Sequence, residues 1–337
     1  PALDMVGVGM DYAATSDWPA PALGPADAPR IVFYPGSSIG NFTPTESLAL
    51  LRRIHTASGP AHGGGLLIGV DLVKDPAEIK AACRDAAGII VNLAPITSEL
   101  IAGFEKCRVI SRYGVGYDAV DVPAATARKI WVANVPDYCE EDVSDQAFAL
   151  FMSCVRKVAL RDRLVRAGTW DYKSGGRKWR IAGKTFVFFG FGRIARAFHR
   201  KLSGFGLART LVFDPFLDAA AIEAAGAAKA DFETALKEGD FFSIHMPLND
   251  DTRGLFNEAV FRKMKPTAIL VNTSRGPIID EAALYKALKE GWINSAGLDV
   301  FIREPVNADS PLLTLDNITV SGHEGWYSEE SFSELKR

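Results

Sequence analysis

The chain has 337 residues, too many for one ordinary hydrophobic core, so two domains are expected. Hydrophobic residues make up 48% and charged residues 23%, and the net charge of −3 leaves no basic excess for nucleic acid or an anionic membrane surface. Apolar runs such as AILV at 268–271 are too short to span a bilayer. The four cysteines, Cys83, Cys107, Cys139 and Cys154, make no CxxC pair, which points to reduced thiols and a cytoplasmic setting. A chain that begins with Pro1 reads as a processed or excised piece.

Residues 13–30 are rich in Ala, Pro and Asp and read as loop. RIVFY (30–34) predicts a strand, and VFYPGSSIGNF (32–42) runs from it into a glycine-containing loop. TPTESLALLRRI (43–54) predicts a helix, with Thr43 and Glu46 as a capping box. Further strands are predicted at GLLIGVDL (65–72), GIIVNL (88–93) and RVISRYG (108–114), with helices at DPAEIKAACRDA (75–86) and TSELIAGF (97–104). A long helix follows at about 141–167. KTFVFFG (184–190) starts a second alternation, with strands at LVFD (211–214), FFSIH (241–245), AILVN (268–272), AGLDV (296–300) and ITVSG (318–322). The expected fold class is α/β, with two Rossmann-like, doubly wound parallel-sheet domains in tandem.

GFGRIA at 190–195 follows a strand and opens a helix. Gly190 allows the tight turn, Gly192 lets a pyrophosphate approach the backbone, and the helix N-terminus supplies free N–H groups. Ala195 replaces the third glycine. Asp214 lies nineteen residues beyond it, at the end of the next strand, where a carboxylate accepts hydrogen bonds from the adenosine ribose. That carboxylate would repel a 2′-phosphate, so the expected cofactor is NAD.

Three polar residues then fall just past successive strands: Arg275 in NTSRGPIIDE, Glu304 in LDVFIREP and His323 in VSGHEGWYSEES. Their types suit carbonyl reduction. A guanidinium binds a 2-oxo acid through carboxylate and carbonyl together. A histidine gives a proton to the developing alkoxide and takes it back in reverse. A carboxylate beside the histidine orients the ring and favours the imidazolium.

From about residue 80 onward the sequence resembles the D-isomer-specific 2-hydroxyacid dehydrogenases, through SRYGVGYDAVDV, NVPDYCEEDVSDQA, VFFGFGRIAR, HMPLNDDTRGL, MKPTAILVNTSRGPIIDE and GLDVF–EP–SPLL. HEGWYSEES is most similar to the branch of the phosphoglycerate dehydrogenases and C-terminal-binding corepressors. The resemblance implies NAD-dependent interconversion of a D-2-hydroxy acid and a 2-oxo acid. In it Arg275 binds substrate, Glu304 orients His323, and His323 is the general acid/base. It adds Arg193, Ile194, His245, Pro247, Thr273 and Asp299 around the cofactor. It also adds Arg112, Gly114, Val115, Gly116 and Trp326 at the substrate. Gly322 departs from the family's usual proline before the histidine, which would loosen that loop. No metal site is expected.

Residues 8–78 instead resemble a fragment of the histidine-specific S-adenosylmethionine-dependent methyltransferases of ergothioneine synthesis, through MDYAATSDWP, VFYPGSSIGNFTPTE and GGGLLIGVDLVKDPAE. That resemblance implies Asp11 and Tyr12 near an adenine and Asn41 at a histidine substrate. The glycine loop that grips S-adenosylmethionine in that family is missing from the sequence, so loop 35–41 is read as a remnant serving as scaffold.

The expected domains are an irregular lead-in at 1–29, a flavodoxin-like substrate domain at 30–138 with a methyltransferase-like first half, an NAD-binding Rossmann domain at 139–322, and a truncated return segment at 323–337. The expected partners are a small 2-oxo or 2-hydroxy acid and a second copy in a homodimer, with no nucleic acid and no membrane. The rival readings are a dinucleotide-binding corepressor-like module and an inactive chimeric fragment.

Overall fold

Two units divide the chain, Pro1–Asp137 with Ser333–Arg337 and Tyr138–Phe332. A computed structural model describes residues 31–34, 65–68 and 75–335. The helix predicted at 43–54 and the loop at 35–41 lie outside the described residues, as do Asp11, Tyr12 and Asn41.

In the first unit, β1 (Ile31–Tyr34) pairs in parallel with β2 (Gly65–Ile68). Strands β3 (Gly88–Val91), β4 (Val109–Arg112) and β5 (Trp131–Asn134) form a second parallel ladder in chain order. Helices α1 (Pro76–Cys83), α2 (Ser98–Gly103) and α3 (Val122–Ala127) each start at a side-chain cap. Asp75, Thr97 and Asp121 accept the N–H groups of Ala77, Leu100 and Ala124, which would otherwise lack partners. Ile79, Ile89, Val91, Leu100, Phe104 and Ile110 form this unit's core. Neither β5 nor α3 is legible in the sequence. In β5 no residue is fully buried and Trp131 is 79% exposed, so WVAN lacks the periodic apolar face that marks a strand.

The second unit opens with α4 (Glu140–Arg156) and α5 (Val158–Arg166). The single helix predicted at 141–167 is broken at Lys157, which adopts a left-handed φ of +56°. Lysine in that conformation carries no sequence signal, because the usual left-handed residue is glycine or asparagine. The acidic first turn of α4 (Glu140, Glu141, Asp142) suits the positive end of the helix dipole.

The chain then alternates through β6 (Thr185–Phe189), α6 (Arg193–Lys201), β7 (Arg209–Phe213), α7 (Ala219–Glu223), β8 (Ala228–Lys229), α8 (Phe232–Glu238), β9 (Phe241–Ile244), α9 (Glu258–Phe261), β10 (Ile269–Asn272), α10 (Glu281–Lys289), β11 (Ser295–Leu298) and β12 (Ile318–Val320). The seven strands form one parallel sheet in the order β12-β11-β10-β9-β6-β7-β8. Every residue of β6, β9, β10 and β11 is buried, as the unbroken apolar runs require for strands covered on both faces. Phe151, Phe186, Phe188, Phe198 and Phe241 fill one face of the sheet. Val187, Phe189, Leu236, Phe242 and Leu284 fill the other. From β6 the chain winds to β8 at one edge, then returns to β9 on the opposite side of β6. The β6/β9 boundary is therefore the switch point, where carboxyl ends of diverging strands open a crevice.

Candidate active site

The glycine loop sits at this switch point. Gly190 has φ +84°, and a Cβ on it would lie 2.8 Å from the His245 carbonyl oxygen at the end of β9. Glycine alone meets both demands. Gly192 is the N-cap of α6 and makes no side-chain cap. A Cβ there would meet nothing within 4 Å, so the helix start faces open space. Arg193 is exposed and pairs with Glu140 at 3.1 Å, and Ile194 is half-buried in the first turn.

The Asp214 carboxylate ties two segments together. Its Oδ2 accepts the Phe191 N–H and its Oδ1 the Phe216 N–H, both at 2.9 Å. Each oxygen keeps a lone pair for a ribose hydroxyl. Thr273, just past β10, has a buried Oγ1 without a hydrogen-bond partner in the chain. Pro247 is exposed, and its carbonyl accepts the Thr252 hydroxyl at 2.7 Å. The His245 ring turns inward, within 5.8 Å of the Phe188 ring and 6.2 Å of the Phe198 ring, and its Nε2 lies 2.8 Å from Ser243 Oγ. Burial pushes its pKa down to about 3, so the ring is neutral. The part of His245 that faces the glycine turn is its main chain.

Past the neighbouring strand ends the polar residues converge. Asn272, fully buried, donates to the Arg275 carbonyl and accepts the Ser274 N–H and hydroxyl. Arg275 Nη1 donates to the Ser274 carbonyl at 2.8 Å. Gly276 allows a close backbone approach: a Cβ there would lie 2.0 Å from the Phe301 carbonyl carbon. The Arg275 loop therefore rests directly on the loop carrying Glu304. Glu304 accepts the Phe301 N–H at 2.9 Å on Oε1, and its Oε2 lies 2.5 Å from His323 Nδ1. Burial pushes the Glu304 carboxyl up, but the His323 hydrogen bond, the Phe301 N–H and the charges of His323 and Arg275 together hold it below its usual range.

Asp299 anchors the histidine loop. It is 2% exposed; its Oδ1 accepts the Ser321 hydroxyl at 2.6 Å and the Glu324 N–H, and its Oδ2 accepts the Gly325 N–H. Its carbonyl accepts the His323 N–H at 2.7 Å. Gln146 of α4 donates to Ser321 Oγ, extending the chain of bonds. The loop is thus held without a proline at 322. The sequence marks Asp299 only as a cofactor neighbour. The one signal for its anchoring is Gly325, whose missing Cβ lets the N–H approach Oδ2. Trp326 follows, its ring 6.4 Å from the Tyr138 ring and 6.3 Å from that of Phe332.

In the first unit, Arg112 ends β4 with its side chain 8% exposed, and its Nη1 donates to the Tyr113 carbonyl. Gly114, with φ +142°, leaves room for that guanidinium. Asn134 Nδ2 fixes the Val115 carbonyl at 2.7 Å, and Gly116 is half-buried beside it.

Residues 148–325 match the D-isomer specific 2-hydroxyacid dehydrogenase NAD binding domain. A glyoxylate reductase of Korarchaeum cryptofilum is 40% identical over 275 residues, covering 79% of this chain and 82% of that protein. The chain belongs to the D-isomer-specific 2-hydroxyacid dehydrogenases. As one of them it is an NAD-dependent oxidoreductase. A D-3-phosphoglycerate dehydrogenase of Archaeoglobus fulgidus is 35% identical over 245 residues, 73% of this dehydrogenase and 46% of that protein. The structure of a glyoxylate reductase from Paecilomyes thermophila superposes with a TM-score of 0.74 at 26% identity, covering 92% of each chain. Residues 1–95 match a second family, the SAM-dependent histidine-specific methyltransferases, as the methyltransferase-like motifs predict.

The dehydrogenase's residues fit the dinucleotide on three counts: the open helix start at Gly192, the Asp214 oxygens with lone pairs to spare, and the unpartnered Thr273 hydroxyl. No helix among the described residues is long and apolar enough to cross a membrane.

Proposed function

We propose that the enzyme reduces a small 2-oxo acid of the glyoxylate class to its 2-hydroxy acid, with His323 as acid/base, Arg275 binding substrate and Glu304 orienting His323. The observation that carries this is the 2.5 Å contact between His323 Nδ1 and Glu304 Oε2. It commits Nδ1 to the carboxylate and leaves Nε2 as the atom that moves a proton. When bound, NADH would supply the hydride. His323 Nε2 gives its proton to the carbonyl oxygen as the carbon is reduced, and recovers one from the hydroxyl in reverse. Arg275 binds carboxylate and carbonyl oxygens and opposes the charge that builds on the latter.

Arg112 and the backbone of Gly114, Val115 and Gly116 are proposed as the first unit's contacts to the substrate carboxylate, with Trp326 bordering the substrate side chain. Gly190, Gly192, Arg193 and Ile194 are proposed to take the pyrophosphate, Asp214 the ribose, and Pro247, Thr273 and the main chain of His245 the remainder of the cofactor. For Asp299 we propose loop anchoring. The proposed domains are 30–138 for substrate and 139–322 for NAD, working as a cytoplasmic homodimer. The test is oxidation of NADH with glyoxylate, hydroxypyruvate, pyruvate and bulkier 2-oxo acids. Turnover lost in His323→Gln supports the reading, and no turnover with any of them by the parent would overturn it.

The match of residues 1–95 to the methyltransferases leads to a second proposal, that this stretch is a sequence remnant without methyl transfer. Asn41→Ala is expected to leave reduction within a few-fold of the parent. Micromolar S-adenosylmethionine binding by calorimetry, lost in that variant, would overturn it.

A further inference from the structure

Asp214 is followed by Pro215 and Phe216 at the corner after β7, and the Phe216 side chain is anomalous. It is 88% exposed, whereas most phenylalanines of this unit, Phe186, Phe188, Phe189 and Phe242 among them, fill its two cores. The core contacts at this strand end are made by Phe213, whose ring packs against those of Phe189 and Phe232, at 6.1 and 5.2 Å. The Phe216 backbone is nevertheless fixed. The Phe216 N–H donates to Asp214 Oδ1, while Oδ2 of the same carboxylate accepts the Phe191 N–H of the glycine loop. One carboxylate therefore sets the aromatic corner in register with the dinucleotide loop.

We infer that the Phe216 ring is the stacking wall for the adenine of the bound cofactor. An exposed ring costs apolar surface in water, and it regains that when a flat base covers its face. The inference rests on the proposed role of Asp214 as ribose ligand: with the ribose on that carboxylate, a residue whose backbone N–H is bonded to it stands beside the base joined to that sugar. The wall discriminates nothing at the nicotinamide. It contributes to holding the adenosine half and sets how tightly either redox state of the cofactor binds.

The experiment is calorimetric titration of the parent, Phe216→Ala and Phe216→Trp with NADH and with ADP-ribose, which lacks the nicotinamide. Phe216→Ala keeps the N–H that bonds Asp214, so the carboxylate stays in place. The expected result is a Kd raised about tenfold for both ligands in Phe216→Ala and restored in Phe216→Trp, the magnitude of losing one base–aromatic stack. An unchanged melting temperature separates this from a structural role. ADP-ribose affinity within twofold of the parent in Phe216→Ala would overturn the proposal while leaving the cofactor site standing. Unchanged affinity with an altered sedimentation coefficient would overturn it in favour of contact with a second copy. A parent that binds no NADH would overturn both.

Discussion

Glu304 and His323 face each other across two loops, with Oε2 2.5 Å from Nδ1, while the other carboxylate oxygen is committed to the Phe301 N–H. The second bond matters as much as the first. It fixes which oxygen of Glu304 can turn, so the histidine meets an acceptor. A hydrogen on Nδ1 leaves Nε2 bare in the neutral ring, the form a base requires.

Glu304→Gln tests this directly. The Phe301 N–H still demands an oxygen, which turns the amide NH2 toward His323. The neutral ring then carries its hydrogen on Nε2 and cannot accept one from substrate. Oxidation of the 2-hydroxy acid is expected to lose about 10²-fold in kcat. Equal kcat values for oxidation of the 2-hydroxy acid would refute the pairing's role.

Arg275→Ala should lower kcat/KM for reduction about 10³-fold, as for the loss of a charged donor at a developing oxyanion. NADH affinity should barely change, because the side chain lies past β10 and away from the glycine loop. Arg275→Lys should recover little, since an ammonium cannot present the planar fork. Fluorescence titration of NADH alongside the kinetics separates the two effects.

Gly276→Ala puts a methyl group 2.0 Å from the Phe301 carbonyl carbon, so one loop must retreat. Overpacking of this kind costs about 1–3 kcal/mol. The retreat also parts Arg275 from the loop of Glu304. The variant should therefore lose both urea resistance and kcat. A full-activity variant would mean the close approach serves packing alone.

Those strand-end residues were legible because a doubly wound sheet puts every βα turn on one side. The motif at Gly190–Ala195 was legible because its glycines answer to geometry: a left-handed turn against His245 and an open helix start. Other features had no local signal. The sequence places conformational freedom at Gly322, yet the left-handed residue is His323 itself, with φ +57°. Its conformation is imposed from outside, by the Asp299 carbonyl on its N–H and the Asp299 carboxylate on the residues either side. Similarly β8 is two residues long at the sheet edge, too short for any period to show. Lys157 breaks a helix whose apolar pattern runs on unbroken.

Asp214→Ala should narrow the preference for NAD over NADP, because it removes a charge that repels a 2′-phosphate. It also frees the Phe191 and Phe216 N–H groups, so NADH affinity itself should fall. The ratio of kcat/KM for the two cofactors is the readout that matters, and an unchanged ratio would exclude Asp214 as the ribose ligand.

His245 makes a prediction about acid stability. Burial lowers its pKa in the folded chain to about 3, against 6.5 for the free side chain. The unfolded chain therefore binds a proton between those values that the folded chain does not. Stability contributed by the neutral ring is complete above 6.5 and is lost as pH falls below it, at up to about 1.4 kcal/mol per pH unit. His199, whose pKa burial also lowers, acts in the same direction, and so do carboxylates at more acid pH. The difference between the parent and His245→Gln isolates the one residue. Glutamine can still meet Ser243 Oγ and does not titrate. Urea unfolding of both proteins between pH 6.5 and 5 should show a shallower fall for the variant, even though it starts less stable from lost ring packing. Parallel curves would mean that the His245 ring reaches water in the folded chain and titrates there.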